Sequence, residues 1–310
     1  MPPYQPVAPH VVENVLLGAC PEREAEMRQS WESFKPEFYL REDDVEAAIS
    51  ANGNRVSWMH KTFALDWVIA TMGMQALTAY SPHILLAQAR NVPLSVHDLT
   101  EDADVASVES QMDEATYFAR LIWQAKQLDE LEWPATIPLP GTCPDPSLDP
   151  IGKATFDLAC LAAATTFFHE LRHVQFAAQC DAPPLTVEEE RACDVHARSM
   201  LLDHVADYCA TTGEPYSQVL NKRIMGLATA AFCIAHVEPA GLQAAIVDTH
   251  PPVAERFKAL VLDADADDDA TGWIYTACLL IHVLRRANRL PTTVTFFSAK
   301  DLCRQLVDSL

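Results

Sequence analysis

The sequence has few basic residues for its length. Its 310 residues include 22 lysines and arginines against 43 aspartates and glutamates, which gives a net charge of −21 at pH 7. A surface with this excess of negative charge repels phosphate backbones and anionic membranes. We therefore expect neither nucleic acid nor a membrane as a partner.

The sequence also lacks three further patterns. Its nine cysteines are scattered without a CxxC pair, which argues against a disulfide framework and against a zinc finger. The N-terminal residues lack the basic start and apolar core of a secretory signal. The most apolar run, "IMGLATAAFCIAHV" from Ile224, is about 14 residues long, too short to span a bilayer. These absences predict a cytoplasmic protein.

What is present is a globular composition, with 49% hydrophobic and 21% charged residues. Helical spacing of apolar residues dominates, so we predict a mainly α fold with a few short strands. The stretch "WPATIPLPGTCPDPSLDP" carries six prolines and cannot hold regular structure. We divide the chain into a helical N-terminal region at 1–133, a Pro-rich loop or linker at 134–152 and a helical core at 153–310. One continuous domain is the alternative.

Several elements can be predicted individually. A buried helix from Thr62 is expected to end at Ser81–Pro82, because proline breaks the helical hydrogen-bond pattern. The segments "FYLRE", "NRVSWMH" and "VPLSVHDL" are the candidate strands. A later helix begins at Thr186, and Glu189 three residues on predicts a capping box.

The segment "TTFFHELRHVQF", residues 165–176, places three ionisable groups within an apolar helix. His169 and His173 are four residues apart, so they lie on one helix face and can direct two imidazole nitrogens at a single ion. Glu170 is offset by about 100° and can approach a water molecule on that ion without binding the ion itself. This HExxH pattern is typical of metalloproteases.

Catalytic zinc requires a third protein ligand and an open position for water. The segment "EEERACD" supplies a candidate in Glu190, which begins a helix stripe with Asp194 four residues later. We predict that Glu190 is the third ligand and that Asp194 orients one histidine ring. The alternative is that Glu188, Glu189 and Glu190 only complement the helix dipole in the first turn.

The HExxH segment followed by Glu190 and Asp194 in an ExxxD pattern resembles gluzincin metallopeptidases. The resemblance implies a zincin-like HExxH helix packed antiparallel on the ExxxD helix. The short interval between the two motifs resembles the phage-exclusion (Lit-type) peptidase family, whose known member cuts translation elongation factor Tu. That similarity covers about a third of the chain and implies a protein substrate and a phage-defence or toxin-like role.

A second fragment, "THPPVAERFKAL" from Thr249, is similar to a downstream segment of CAAX-prenyl-endopeptidase-like metalloproteases. Those proteins lie in membranes and have a longer gap before the third ligand, so the fragment supports a metallopeptidase and not that substrate class. By this resemblance His250 is the candidate donor to the oxyanion, and the alternative is that it caps the following helix. Arg256 is expected either to hold an acidic partner or to form a surface ion pair.

The resulting prediction is a zinc-dependent endopeptidase with one Zn²⁺ held by His169, His173 and Glu190. Glu170 is the general base acting on a protein or peptide substrate. The alternative is a helical scaffold that zinc only braces, with Cys193 or Cys180 closing the site, and a metal-free helical protein is a third reading. The substrate, any activator, the oligomeric state and the role of Cys143 in the Pro-rich stretch stay open.

Overall fold

The structure is a computed structural model. It describes residues 4–41, 49–59, 61–125, 128–141, 143–237 and 251–310, with side chains as far as residue 234 in the fifth of these ranges.

Helices account for most of the described chain, so the predicted mainly α fold with a few short strands is confirmed. They are α1 (Pro9–Ala19), α2 (Glu24–Phe34), α3 (Lys61–Arg90), α4 (Val96–Glu101), α5 (Ala103–Gln124), α6 (Pro150–Gln179), α7 (Thr186–Leu202), α8 (Val205–Thr212), α9 (Tyr216–Val237), α10 (Val253–Phe257), α11 (Thr271–Arg286) and α12 (Ala299–Val307). Single turns of 3-10 helix lie at Pro21–Arg23 and Leu128–Glu130, and a π-helical turn at Lys258–Leu262 follows α10.

The strands form one four-stranded sheet and one two-residue pair. The larger sheet has the order β1 (Tyr4–Val7), β2 (Glu37–Arg41), β4 (Arg55–Met59), β3 (Ile49–Asn52), and only β2 and β4 run parallel. The smaller pair joins β5 (Leu94–Ser95) to β6 (Thr293–Val294).

Two of the three predicted strands are confirmed by β2 and β4. The third is shorter than predicted because the side chain of Ser95 caps a helix directly after β5. Its hydroxyl accepts a hydrogen bond from the backbone N–H of Asp98 at 3.3 Å. The chain therefore becomes helical at Val96.

Helix α3 extends to Arg90 and contains Pro82, so the predicted helix end at Ser81–Pro82 is wrong. Proline cannot donate a backbone hydrogen bond, which weakens the helix locally. Burial outweighs this cost, because Ile84 and Ala87, beyond the proline, are both buried in the core.

Helix α6 is central to the packing and contacts α1, α3, α7 and α9. By length and composition, α6 is the one helix in the described ranges apolar enough to cross a membrane. However, 56% of the most apolar 18-residue segment of this helix is buried inside the protein.

The Pro-rich stretch is tied to α3 by one tryptophan hydrogen bond, and a second tryptophan makes a local bond within it. The indole N–H of Trp67 donates to the carbonyl oxygen of Pro138 at 2.6 Å, and that of Trp133 donates to Ile137 at 2.8 Å. The division of the chain at 134–152 stays a prediction.

A glycine allows α9 to lie close against α6. A Cβ atom at Gly226 would be 2.4 Å from the Cβ of Leu161, a buried residue of α6. Neither atom can rotate away, so any larger residue must push the two helices apart.

We predict that Gly226→Ala lowers the free energy of unfolding by about 1–3 kcal/mol, because the added methyl group overpacks this contact. Gly18→Ala in α1 is the matched control, since nothing lies within 4 Å of its Cβ position. Alanine favours a helix by about 1 kcal/mol over glycine, so the control should be neutral or stabilising. Urea denaturation measures both, and equal effects would contradict the prediction.

Asp66 of α3 is an acid buried within the helical core. The side chain is 2% exposed, and its Oδ2 atom has no hydrogen-bond partner. The carboxyl group forms a hydrogen bond with the thiol of Cys233. Burial raises the pKa of Asp66 to about 7. The unfolded chain loses this proton near pH 4 and the folded chain only near pH 7. The free energy of unfolding therefore falls as the pH rises through this interval.

We predict that Asp66→Asn removes this contribution. As the pH rises from about 5 to about 8, the free energy of unfolding of the variant should increase by a few kcal/mol relative to that of the parent. Asp113→Asn, at an exposed ion pair with Arg286, is the control and should show little change. A difference independent of pH would refute the role of Asp66.

Candidate metal centre

The functional side chains lie on α6 and α7, which are joined by a short turn. Helix α6 ends at Gln179, and its C-cap residue Cys180 has a left-handed backbone conformation with a φ of 55°. Helix α7 begins at Thr186. The predicted capping box of Thr186 and Glu189 is wrong: Leu185 is the N-cap residue, and no side chain caps the helix. Glu189 instead turns toward α6.

The structure brings His169, His173 and Glu190 together. The Nε2 atoms of the two histidines are 3.3 Å apart. Each lies 3.2 Å from a different carboxylate oxygen of Glu190, His169 from Oε2 and His173 from Oε1. Two imidazole nitrogens and one carboxylate thus converge on one point between the helices.

These three groups fit a zinc ion by chemistry and by spacing. Nitrogen and oxygen donors bind zinc at about 2.0–2.2 Å in tetrahedral geometry, which separates neighbouring donors by about 3.3 Å. The observed separations of 3.2 and 3.3 Å match this value. The set also contains two histidines and one acid, which is a common composition for catalytic zinc.

Asp194 fixes the orientation of the His169 ring. Its Oδ1 atom lies 2.9 Å from Nδ1 of His169, so the ring donates there and Nε2 faces the shared point. The carboxylate is 1% exposed, and it also accepts two hydrogen bonds from Arg256 of α10, at 2.9 Å from Nε and 2.7 Å from Nη2. Arg256 is itself buried, so it is no surface ion pair.

Glu189 holds the second ring in the same way. Its Oε1 atom lies 2.7 Å from Nδ1 of His173. Both histidines therefore have a carboxylate at Nδ1 and face the shared point with Nε2.

Sequence reasoning missed the role of Glu189 and left that of Arg256 open. Glu189 had the signature of a helix-terminal acid, and its neighbours Glu188 and Glu190 share that signature. Arg256 comes 62 residues after Asp194, and no local spacing links the two. The similarity of "THPPVAERFKAL" to a metalloprotease segment is the one sequence signal that points to the region of Arg256.

Electrostatic interactions within the cluster favour the charged forms of both the histidines and the carboxylate. Burial lowers the pKa of His169, but hydrogen bonds to Asp194 and Glu190 outweigh it and raise the pKa to about 10. Burial likewise opposes the charge on His173, whose carboxylate neighbours raise its pKa to about 9. Burial raises the pKa of Glu190, and the two histidines outweigh that and hold it well below its usual range. Metal ligation requires neutral imidazoles, so an ion would displace these protons.

Glu170 is next to His169 on α6 and does not take part in the ring contacts. It is 8% exposed, and burial raises the pKa of its carboxyl group. A buried carboxyl group beside such a centre is suited to take and return a proton.

A thiol offers a second possible set of three donors. The Sγ atom of Cys193 and the imidazole nitrogens of His169 and His173 all lie within 4.8 Å of one another. Glu190 lies 3.2 Å from both rings, which is the separation that a shared zinc ion requires of oxygen and nitrogen donors, so we take the carboxylate as the third donor. Burial raises the pKa of Cys193 to about 12, which keeps it as a thiol.

Two of the three other candidates do not join this cluster. His250, the predicted oxyanion donor, lies outside the described residues. Cys180 is exposed beyond the end of α6. Cys143 is also exposed, with its thiol 3.8 Å from the carbonyl oxygen of Pro144.

Comparison with known proteins agrees with a hydrolytic site. A sequence profile of the Peptidase U49 family matches residues 56–277, which includes both α6 and α7. The chain belongs to the Peptidase U49 family. No curated protein and no solved structure gives a significant match. Membership in a peptidase family implies that the substrate is a protein. The matched range ends within α11, so it also includes Arg256.

We predict that Arg256→Leu destabilises the protein by about 3–5 kcal/mol, because it leaves the Asp194 carboxylate buried without its cation. Arg191→Leu is the matched control, since Arg191 pairs with Glu255 at the surface, where both are about half exposed. Such a pair contributes less than about 1 kcal/mol. Urea denaturation at neutral pH distinguishes the two, and a small effect of Arg256→Leu would contradict the account of Asp194.

Proposed function

We propose that the chain is a zinc-dependent endopeptidase of the gluzincin type, with one zinc ion held by His169, His173 and Glu190. The observation that carries the proposal is the convergence of two Nε2 atoms and one carboxylate at 3.2–3.3 Å. His169 contacts Asp194, and His173 contacts Glu190. The earlier histidine on α6 thus contacts the later carboxylate on α7, and the later histidine contacts the earlier carboxylate. This reversed order supports the proposed antiparallel packing of an HExxH helix on an ExxxD helix.

The residues then divide the work of peptide hydrolysis. Zinc bound here would polarise the scissile carbonyl and make a water molecule more acidic. Glu170 takes a proton from the attacking water and delivers it to the leaving amine nitrogen. Asp194 and Glu189 keep both imidazole rings oriented, and Arg256 neutralises Asp194 so that the buried carboxylate does not stand alone. His250 stays the proposed donor to the oxyanion, on resemblance alone.

Two parts of the proposal rest on sequence. The acidic composition argues against nucleic acid and membranes as partners, and the scattered cysteines favour a cytoplasmic protein. The resemblance to the phage-exclusion family supports a phage-defence or toxin-like role. The contacts around the metal centre do not bear on either.

The second candidate is a helical scaffold braced by zinc, which acts through partners without catalysis. The nearby thiol of Cys193 favours it, because structural zinc sites are closed by four protein ligands that usually include cysteine. Glu170 argues against it, since a closed structural site has no use for a buried carboxyl next to the ligands.

We predict that the purified protein contains one zinc ion per chain. Glu170→Gln should keep the zinc and lose cleavage of a protein substrate by about a hundredfold or more, because the general base is removed while the ligands stay. Elemental analysis measures the zinc, and a cleavage assay with cell lysate measures the activity.

Two further variants separate the candidate functions. Glu190→Ala should lose zinc, whereas Cys193→Ser should keep both zinc and cleavage. The scaffold is supported instead if Cys193→Ser loses zinc and no form cleaves any protein. A parent protein without stoichiometric zinc would refute both.

A further inference from the structure

The side of α6 away from the metal centre carries two adjoining concavities. A cavity of about 340 Å³ lies between α2, α6 and α7, and a shallow cleft of about 500 Å³ lies beside it on α6 and α7. His196 lines both of them. The cavity has an apolar part formed by Met27, Trp31, Phe34, Phe168, Leu171 and Met200.

The shallow cleft contains a cation without an acidic partner. Arg172 donates to Oε1 of Gln175 at 2.8 Å and stacks at 4.1 Å over the Phe176 ring, and in the described part of the chain it pairs with no carboxylate. The second arginine of the cleft, Arg191, is paired with Glu255. An unpaired arginine is notable in a chain with nearly twice as many acids as bases.

The charge around His196 is also positive. Besides burial, the charges of Arg172, Arg23 and His169 lower its pKa, to about 4. Arg23 is engaged by Glu26 and by the backbone carbonyl of Ser199, so Arg172 is the cation available to a ligand.

The Trp31 ring forms part of the apolar wall of the cavity beside the cleft. Its indole Nε1 is buried, so the ring meets the cavity through its carbon atoms. The two concavities are also linked, because Gln175 contacts Arg172 and donates to the hydroxyl of Ser30 on α2 at 3.2 Å.

We propose that these concavities form an exosite for an acidic peptide segment, in which a carboxylate meets Arg172 and an apolar side chain enters the cavity lined by Trp31. This proposal rests on the proposed function, since the segment belongs to the protein that is cleaved. It lies on α6 away from the face of the two histidines, so it selects the substrate without contacting the bond that is cut.

Binding of a defined probe tests the exosite without requiring activity. We use the full chain with Glu170→Gln, which prevents cleavage, and a short fluorescein-labelled peptide alternating glutamate with leucine and phenylalanine. The comparison peptide carries glutamine at every glutamate. Fluorescence anisotropy should give a Kd about tenfold tighter for the acidic peptide, because a charge-assisted hydrogen bond is stronger than a neutral one.

Variants locate the binding. Arg172→Gln should remove the preference for the acidic peptide, and Trp31→Ala should weaken both peptides by about tenfold because it removes apolar wall from the cavity. Arg286→Gln, an arginine on α11 that pairs with Asp113, is the matched control and should change nothing. Trp31 is on α2, so its variant tests the exosite even if Arg172→Gln disturbs the HExxH helix.

Two results would overturn the exosite: equal binding of both peptides to the parent, or full retention of the acidic preference in Arg172→Gln. Failure of the proposed function has a different signature. A protein that binds the acidic peptide through Arg172 but contains no zinc retains the exosite and loses the peptidase mechanism.

Discussion

The metal centre depends on the burial of one carboxylate. Asp194 is 1% exposed, and it holds the ring of His169 on one side and the guanidinium of Arg256 on the other. An isolated carboxylate at this depth would be too costly to keep ionised. With both partners present, burial raises the pKa of Asp194 less than its partners lower it, and the charge persists. Three separate helices are thereby joined at one side chain.

Sequence predicted those features of the site that follow from helix geometry. The spacing of four residues placed His169 with His173, and Glu190 with Asp194, on shared helix faces, and all four lie in the cluster that the structure shows. The fold class followed from the same periodicity. Features set by tertiary contacts did not follow: α3 continues through Pro82 because the residues beyond it are buried, and no local rule weighs that burial against the lost hydrogen bond. The partnership of Arg256 with Asp194 likewise depends on how a distant segment returns to the core.

Helix α6 has different chemistry on different sides. One side presents the histidine nitrogens to α7, and a second contributes Arg172 and Phe168 to the concavities shared with α2 and α7. Its remaining surface packs against α3 and α9, with Gly226 bringing α9 close. Because α6 carries both the two histidines and Arg172, the spacing between the candidate metal centre and the concavities is set by one helix and does not depend on a loop.

The order of the site along the chain has a consequence for how the protein acquires its native state. His173 and Glu189 are 16 residues apart, whereas Asp194 and Arg256 are 62 residues apart. Closing the longer loop costs about 1 kcal/mol more in chain entropy. The contacts within the hairpin of α6 and α7 therefore cost less chain entropy than the contact that brings α10 to Asp194. The support of the His169 ring thus depends in part on a segment that lies far along the chain from both motif helices.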